Sequence, residues 1–296
     1  AAMMRTGAAL TVAMVLAASA GAAEFAGPQE ALDALVAAAV AGEPGALLAV
    51  LGDEAQDLIA DTPEERQENR AAFLALYGEG YRFLPVEDGV VEVLLGADGW
   101  PFAIPLVKGE TGWSFDVAAG REELLAREIG FNELEVIALM DVYGDLQAAF
   151  RLRDHDGDGV MEFARSVISS ADARDGLFWP GDGSLVGARL AMAAAHGWSD
   201  GEAFYEPEPH FGYVFRILQG QGDSAPGGAM SYLVNDRMVA GHALLAVPAS
   251  YGETGVHSFM VAENGVILEA DLGPETADRA ADITLFAPDA DWAPLE

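Results

Sequence analysis

The chain of 296 residues predicts an α+β fold built from two units. Three observations carry that expectation. Apolar residues recur at helical spacing, with capping signals, between residues 28 and 77. Short segments rich in β-branched and aromatic residues, separated by turn signals, follow from Tyr81. The same order, helix first and strands after, returns beyond Arg121. The expected units are residues 24–119 (helices plus an antiparallel meander) and 120–296 (a long helix with an antiparallel sheet), behind a signal peptide at 1–23.

Each element has a local reason. Arg5 gives a positive start, "AALTVAMVLAA" (8–18) is apolar, and Ala20-Gly21-Ala22 offers the small residues of a cleavage site. Pro28 opens "PQEALDALVAAAVAG", where Leu32, Leu35, Val36 and Val40 share a face. Pro44 opens a shorter apolar helix that ends at Gly52. Thr62-Pro63-Glu64-Glu65 is a capping box whose helix is expected to stop at Gly78. The meander consists of "YRFLPV", "GVVEVLL", "PFAIPLVK" and "WSFDVA".

In the second unit, "REELLAREIG" is expected to break at Gly130 and resume at Asn132, which with Glu135 repeats the capping logic. Leu134, Ile137, Met140, Tyr143 and Leu146 then form the apolar stripe of a helix reaching Arg151. A second helix over Glu162–Ser170 and an alanine-rich helix over Leu185–His196 are expected next. The strands "YVFRILQG", "AMSYLVND", "GHALLAVPA", "HSFMVA" and "VILEADL" close the chain, and Asn264-Gly265 predicts a type I′ hairpin.

Composition excludes some classes of function. With 48 acidic residues against 15 basic ones the formal charge is −33, and Lys108 is the sole lysine. Such a chain repels nucleic acid and anionic membrane surfaces. The absence of cysteine removes disulfides, thiol nucleophiles and a lipidated N-terminal cysteine.

The segment that carries chemistry is "RDHDGDGVMEFA" (153–164). In a calcium loop of the EF type, oxygen ligands fall at positions one, three, five, seven, nine and twelve, with glycine at six. With Asp154 at position one, positions three, five, seven and nine are Asp156, Asp158, the Val160 carbonyl and Glu162, and Gly159 is at six. Position twelve is Arg165, which cannot act as a bidentate carboxylate, so closure would need Asp172 or Asp175. A loop closed less tightly than an EF-hand belongs to the weak, extracellular range of affinity, roughly 10⁻⁴–10⁻³ M. The five histidines (His155, His196, His210, His242, His257) show no ligand spacing, no serine sits in a G-x-S-x-G setting, and "GQGDSAPGGA" lacks the frame of a phosphate loop. No catalytic residue is assigned. Trp179-Pro180 lies in sequence near the acidic loop.

The stretches "WPFAIPLVK", "WSFDVAAG", "IGFNELEVI", "DHDGDGVMEFA", "DGLFWP", "FGYVFRILQGQGDSAPGGAMSY" and "YGETGVHSFMVAENGVILEADLG" together resemble an exported bacterial family catalogued as domain of unknown function 2950 (DUF2950). The resemblance implies export and no particular activity. More weakly, "NELEVIALMDVYGDLQAAF", the "DGDG" loop, "GYVFRIL" and "HSFMVAENGVIL" resemble the head of a type IV pilin or pseudopilin, though a pilin helix continues from an N-terminal membrane segment. The expectation is a periplasmic or secreted, calcium-binding, non-enzymatic protein that acts on a protein partner in the cell envelope. A hydrolase with an inter-domain site and a small-ligand binder in the N-terminal sheet are the alternatives.

Overall fold

A computed structural model describes residues 21–170, 173–180, 182–187, 190–191 and 209–295. It divides into two compact units, the first ending at Leu124 and the second starting at Leu125. The expected signal segment lies almost wholly outside the described residues, as does most of the Leu185–His196 helix. Among the described residues, no helix is long and apolar enough to cross a membrane.

In the first unit, α1 (Pro28–Ala41), α2 (Pro44–Leu51) and α3 (Pro63–Glu79) each carry proline in the first turn, where its missing N–H costs no helical bond. Gly42, at φ +76°, closes α1 through its N–H on the Ala38 carbonyl at 3.2 Å. The Thr62 hydroxyl accepts from the Glu65 N–H at 3.2 Å and donates to the Glu65 carboxylate at 2.8 Å. Gly78 does not stop α3. The helix continues to Glu79, and Gly80 (φ +133°) ends it.

The helices cover a five-stranded antiparallel sheet. Its order is β1 (Tyr81–Glu87), β2 (Val90–Leu95), β4 (Leu106–Lys108), β5 (Trp113–Phe115), with β3 (Trp100–Pro101) also on β2. Alternation along β2 turns Val91, Val93 and Leu95 into a core shared with Leu32, Leu35, Leu51, Leu106 and Phe115. β1 is the outer strand. Its register slips between Pro85 and Glu87, and Leu84 and Val86 stay 43% and 48% exposed.

Helix α4 (Val117–Phe150) runs unbroken for 34 residues. The expected break at Gly130 does not occur. Its φ is not left-handed and nothing lies within 4 Å of where a Cβ would sit, so it is an ordinary, mildly costly helical glycine. Asn132 is no cap either. Its side-chain amide donates to the Thr254 carbonyl at 3.1 Å. The buried stripe is Val136, Met140, Tyr143, Gln147 and Phe150, whereas Leu134, expected within it, is 67% exposed.

That stripe belongs to the core of the second unit, which also holds the inward residues of a sheet ordered β16 (Ala293–Pro294), β15 (Ile267–Asp271), β14 (His257–Ala262), β13 (Ala243–Pro248), β8 (Tyr213–Leu218), all antiparallel. The register sets Phe215, Ala246 and Phe259 side by side, so a small residue fits between two rings. Helix α5 (Thr276–Asp282) packs against β13. Smaller pairs are β6 (Ser166–Ile168) with β7 (Gly176–Phe178), β9 (Gly220–Gln221) with β10 (Met230–Ser231), and β11 (Leu233–Val234) with β12 (Arg237–Met238).

Two further expectations are corrected here. Residues 162–170 are not helical, because tertiary partners take their amides. Phe163 N–H bonds Met238 O, Ala164 N–H bonds Gln147, Arg165 N–H bonds Asp175 O, and Ser169 N–H bonds Phe178 O. Asn264-Gly265 joins β14 and β15, but only Gly265 has positive φ (+72°), so the turn is not type I′. Both central residues have positive φ at Asn235 and Asp236 (+51° and +66°), the type I′ requirement, in the tight β11–β12 hairpin.

Candidate metal centre: the Asp-rich loop

The loop leaves the C-terminus of α4 and is organised by its first aspartate. Asp154 Oδ1 accepts the amides of Gly157 (2.7 Å) and Asp158 (3.2 Å), and Oδ2 accepts that of Gly159 (2.9 Å). Gly157 and Gly159, at φ +79° and +88°, supply the left-handed steps that bring those N–H groups inward. Asp156 Oδ1 accepts from Asp158 N–H (3.2 Å), and Asp158 Oδ1 accepts from Val160 N–H (2.8 Å). The Gly159 amide, helped by those of Gly157 and Asp158 and by Asp156, holds the Asp154 carboxyl below its usual range against the opposing effect of desolvation.

Carboxylate oxygens of Asp154, Asp156 and Asp158 all lie within 4.8 Å of one another, on an exposed face. Among the described residues, no fourth group joins them at that distance. Glu162, assigned to position nine, is partly buried and its Oε2 accepts the Met238 N–H at 2.9 Å. Burial pushes its pKa up, the Met238 amide opposes this, and Asp156 and Asp158 add to the rise. Asp175 is occupied elsewhere, accepting from the N–H and hydroxyl of Ser170, both at 2.8 Å. Asp172 lies outside the described residues.

Arg237 is a site residue that sequence reasoning missed. The β11–β12 hairpin delivers its guanidinium to Asp158 Oδ2 at 2.7 Å, while Asp236 faces Arg165 at 3.9 Å. A partly shielded arginine is therefore the counter-charge for one member of the acidic group. The pair was hidden because the residues are separated by a long stretch of chain, and "VND" is a less familiar hairpin signal than "ENG".

Below the loop lies an aromatic floor. The His155 ring stacks on Phe150 with centroids 4.2 Å apart, and its Nε2 is 3.0 Å from the Phe150 carbonyl. The ring also meets Trp179, 5.4 Å away and tilted, which is buried. Trp179 is thus packing for the loop.

The loop's exit is fixed by a polar side chain inside the core. Gln147, fully buried, accepts the Ala164 N–H (2.8 Å) and donates to the Ala164 carbonyl (3.1 Å) and the Tyr143 hydroxyl (2.9 Å). It serves Ala164 as a neighbouring strand would. Next to it His242 sits buried between Tyr143 and Phe163, with ring centroids 5.1 and 4.7 Å away. Burial, assisted by the Arg151 charge, lowers its pKa to about 4. His257, in β14, is bound to Glu133, whose Oε2 lies 3.2 Å from its Nδ1 and whose Oε1 accepts the amides of Val256 and His257, both at 2.9 Å. With two backbone amides on one oxygen, Glu133 anchors a turn.

The geometry defines an α+β protein with an exposed acidic cluster on an internally hydrogen-bonded loop. The chain belongs to the family described as Protein of unknown function (DUF2950), whose model matches residues 22–295. No curated protein and no solved structure matches it significantly, so the expected likeness to a pilin head finds no support.

Proposed function

We propose that this is an exported, non-enzymatic protein of the cell envelope, acting through a protein partner, whose Asp-rich loop binds calcium as a structural clip. The observation that carries the reading is the convergence of Asp154, Asp156 and Asp158 within 4.8 Å, since Arg237 balances only Asp158 and carboxylates this close repel unless a further cation joins them. The Val160 carbonyl and Glu162 complete the proposed ligand set, with water in the remaining positions. Export is supported by the apolar, alanine-rich start of the chain. Calcium in the loop would hold the exit from α4 against the β11–β12 hairpin, through Glu162 and Met238.

The test is a thermal melt with calcium and with chelator, on the wild type and Asp156→Ala. At an ion concentration about ten times Kd, the bound ion stabilises by roughly 1.4 kcal/mol, a shift of a few degrees. That shift is expected in the wild type and not in Asp156→Ala. A wild type indifferent to calcium would overturn the metal site, and equal shifts in both proteins would place it elsewhere.

A further inference from the structure

Away from the acidic loop, the second unit contains a cleft of about 450 Å³, within the volume range of small-molecule sites. It lies between β14–β15 and the segment that follows α5. Leu272, Ile283, Leu285 and Trp292 supply apolar lining. Three charged side chains share it: Arg279, Asp282 and Asp289.

Their pairing decides what the cleft attracts. The arginine is already engaged, with Nη2 on Asp291 Oδ2 at 2.9 Å and Nη1 on the Leu272 carbonyl at 3.1 Å. Asp289 accepts the Asp291 amide at 3.0 Å. Among the described residues, neither Asp282 nor Asp289 forms an ion pair. Arg279 is balanced by Asp291, and Arg216, whose guanidinium donates to the Ala280 and Ile283 carbonyls, is another cation close by, so Asp282 and Asp289 still leave the neighbourhood of the cleft net negative beside an indole ring.

A tryptophan is the best aromatic partner for a cation, and partial desolvation strengthens the attraction. Carboxylates at the rim add to it and repel anions. The aliphatic lining favours a hydrocarbon body, which neither a metal ion nor free ammonium possesses. We propose that this cleft binds a small organic cation, an amine or quaternary ammonium joined to an apolar body. The site is separate from the proposed calcium loop and stands or falls independently of it.

The test is calorimetric titration of the full chain at about 150 mM salt, where diffuse attraction to so acidic a protein is screened. The probe is benzyltrimethylammonium. Choline is compared with 3,3-dimethyl-1-butanol, its uncharged isostere, and with 3,3-dimethylbutyrate as the anion. Saturable binding of one benzyltrimethylammonium per chain is expected, with choline at least about tenfold tighter than the alcohol and no binding of the anion. Trp292→Leu should weaken binding at least about tenfold, as should the exposed pair Asp282→Asn with Asp289→Asn, which tests the site even if the tryptophan variant fails to fold. Asp156→Ala should leave the affinity unchanged. Absence of saturation at about 10 mM probe, equal binding of choline and the alcohol, or undiminished binding in the double variant would overturn the proposal. So would loss of binding in Asp156→Ala, because the cation would then reside on the acidic loop.

Discussion

Replacing Gln147 with leucine removes a polar side chain from a fully buried position while nearly conserving its volume. Three hydrogen bonds go with it: two to the backbone of Ala164 and one to Tyr143. The tyrosine keeps its own donor bond to the Ala243 carbonyl at 3.2 Å, so it loses only a bond that it accepts. Ala164 is in a worse position. Its N–H and C=O would both be left in a dry core, at about 1–3 kcal/mol each. Against this, a buried leucine returns roughly 1–2 kcal/mol of apolar transfer energy. At the middle of these ranges the net loss is about 2.5 kcal/mol, a large share of the ~5–15 kcal/mol typical of a folded protein. Urea unfolding followed by far-ultraviolet circular dichroism would show it as a lower midpoint at an unchanged slope. Gln147→Glu should lose more at pH 7 than at pH 4.5, because the buried carboxylate keeps the acceptor but adds an unpaired charge. If Gln147→Leu loses less than about 0.5 kcal/mol, the claim that this side chain substitutes for a strand partner fails.

Two other outcomes follow from single residues. Gly130→Ala should stabilise by about 0.5–1 kcal/mol in chemical denaturation, since the position is helical and open; a destabilised variant would mean that the helix does break there. His242 should make the fold acid-sensitive. Its folded pKa of about 4 lies below the usual histidine value of 6.5, so the unfolded chain takes up a proton first as the pH falls. Its contribution is therefore complete above pH 6.5 and is lost between 6.5 and 4. Between pH 7.5 and 5 the wild type should lose on the order of 2 kcal/mol more than His242→Leu, and parallel pH curves for the two proteins would refute the assignment.

Legibility varied with the distance over which each element is determined. Proline-led helices, the capping box at Thr62 and the strands from Tyr81 were readable because each rests on neighbours in the chain. The continuity of α4 was not. Gly130 and Asn132 look like a stop and a start, and only the distant Thr254 carbonyl makes Asn132 a mid-helix anchor. Likewise Gln147 obscured the buried stripe, because a polar residue at a core position makes sense only once Ala164 faces it. The segment after Glu162 looks helical in isolation and is extended because Met238, Asp175 and Phe178 take up its backbone. At the acidic loop, the close-packed aspartates were foreseeable from their alternation. Arg237, on a hairpin with its own two-residue turn, was not.

The outer strand of the first sheet has a bearing on how the protein behaves in a crowd. Among the described residues no further strand pairs with β1, so Leu84 and Val86 face water along an edge that invites another chain to add itself. Pro85 stands between them with no amide hydrogen to offer, and the slipped register beside it interrupts the even spacing that an incoming strand would have to match. The rim is thus sticky in composition but a poor template. Together with the exposed Arg82 and Glu87 on the same strand, it gives the molecule a built-in resistance to edge-to-edge polymerisation and fibril seeding.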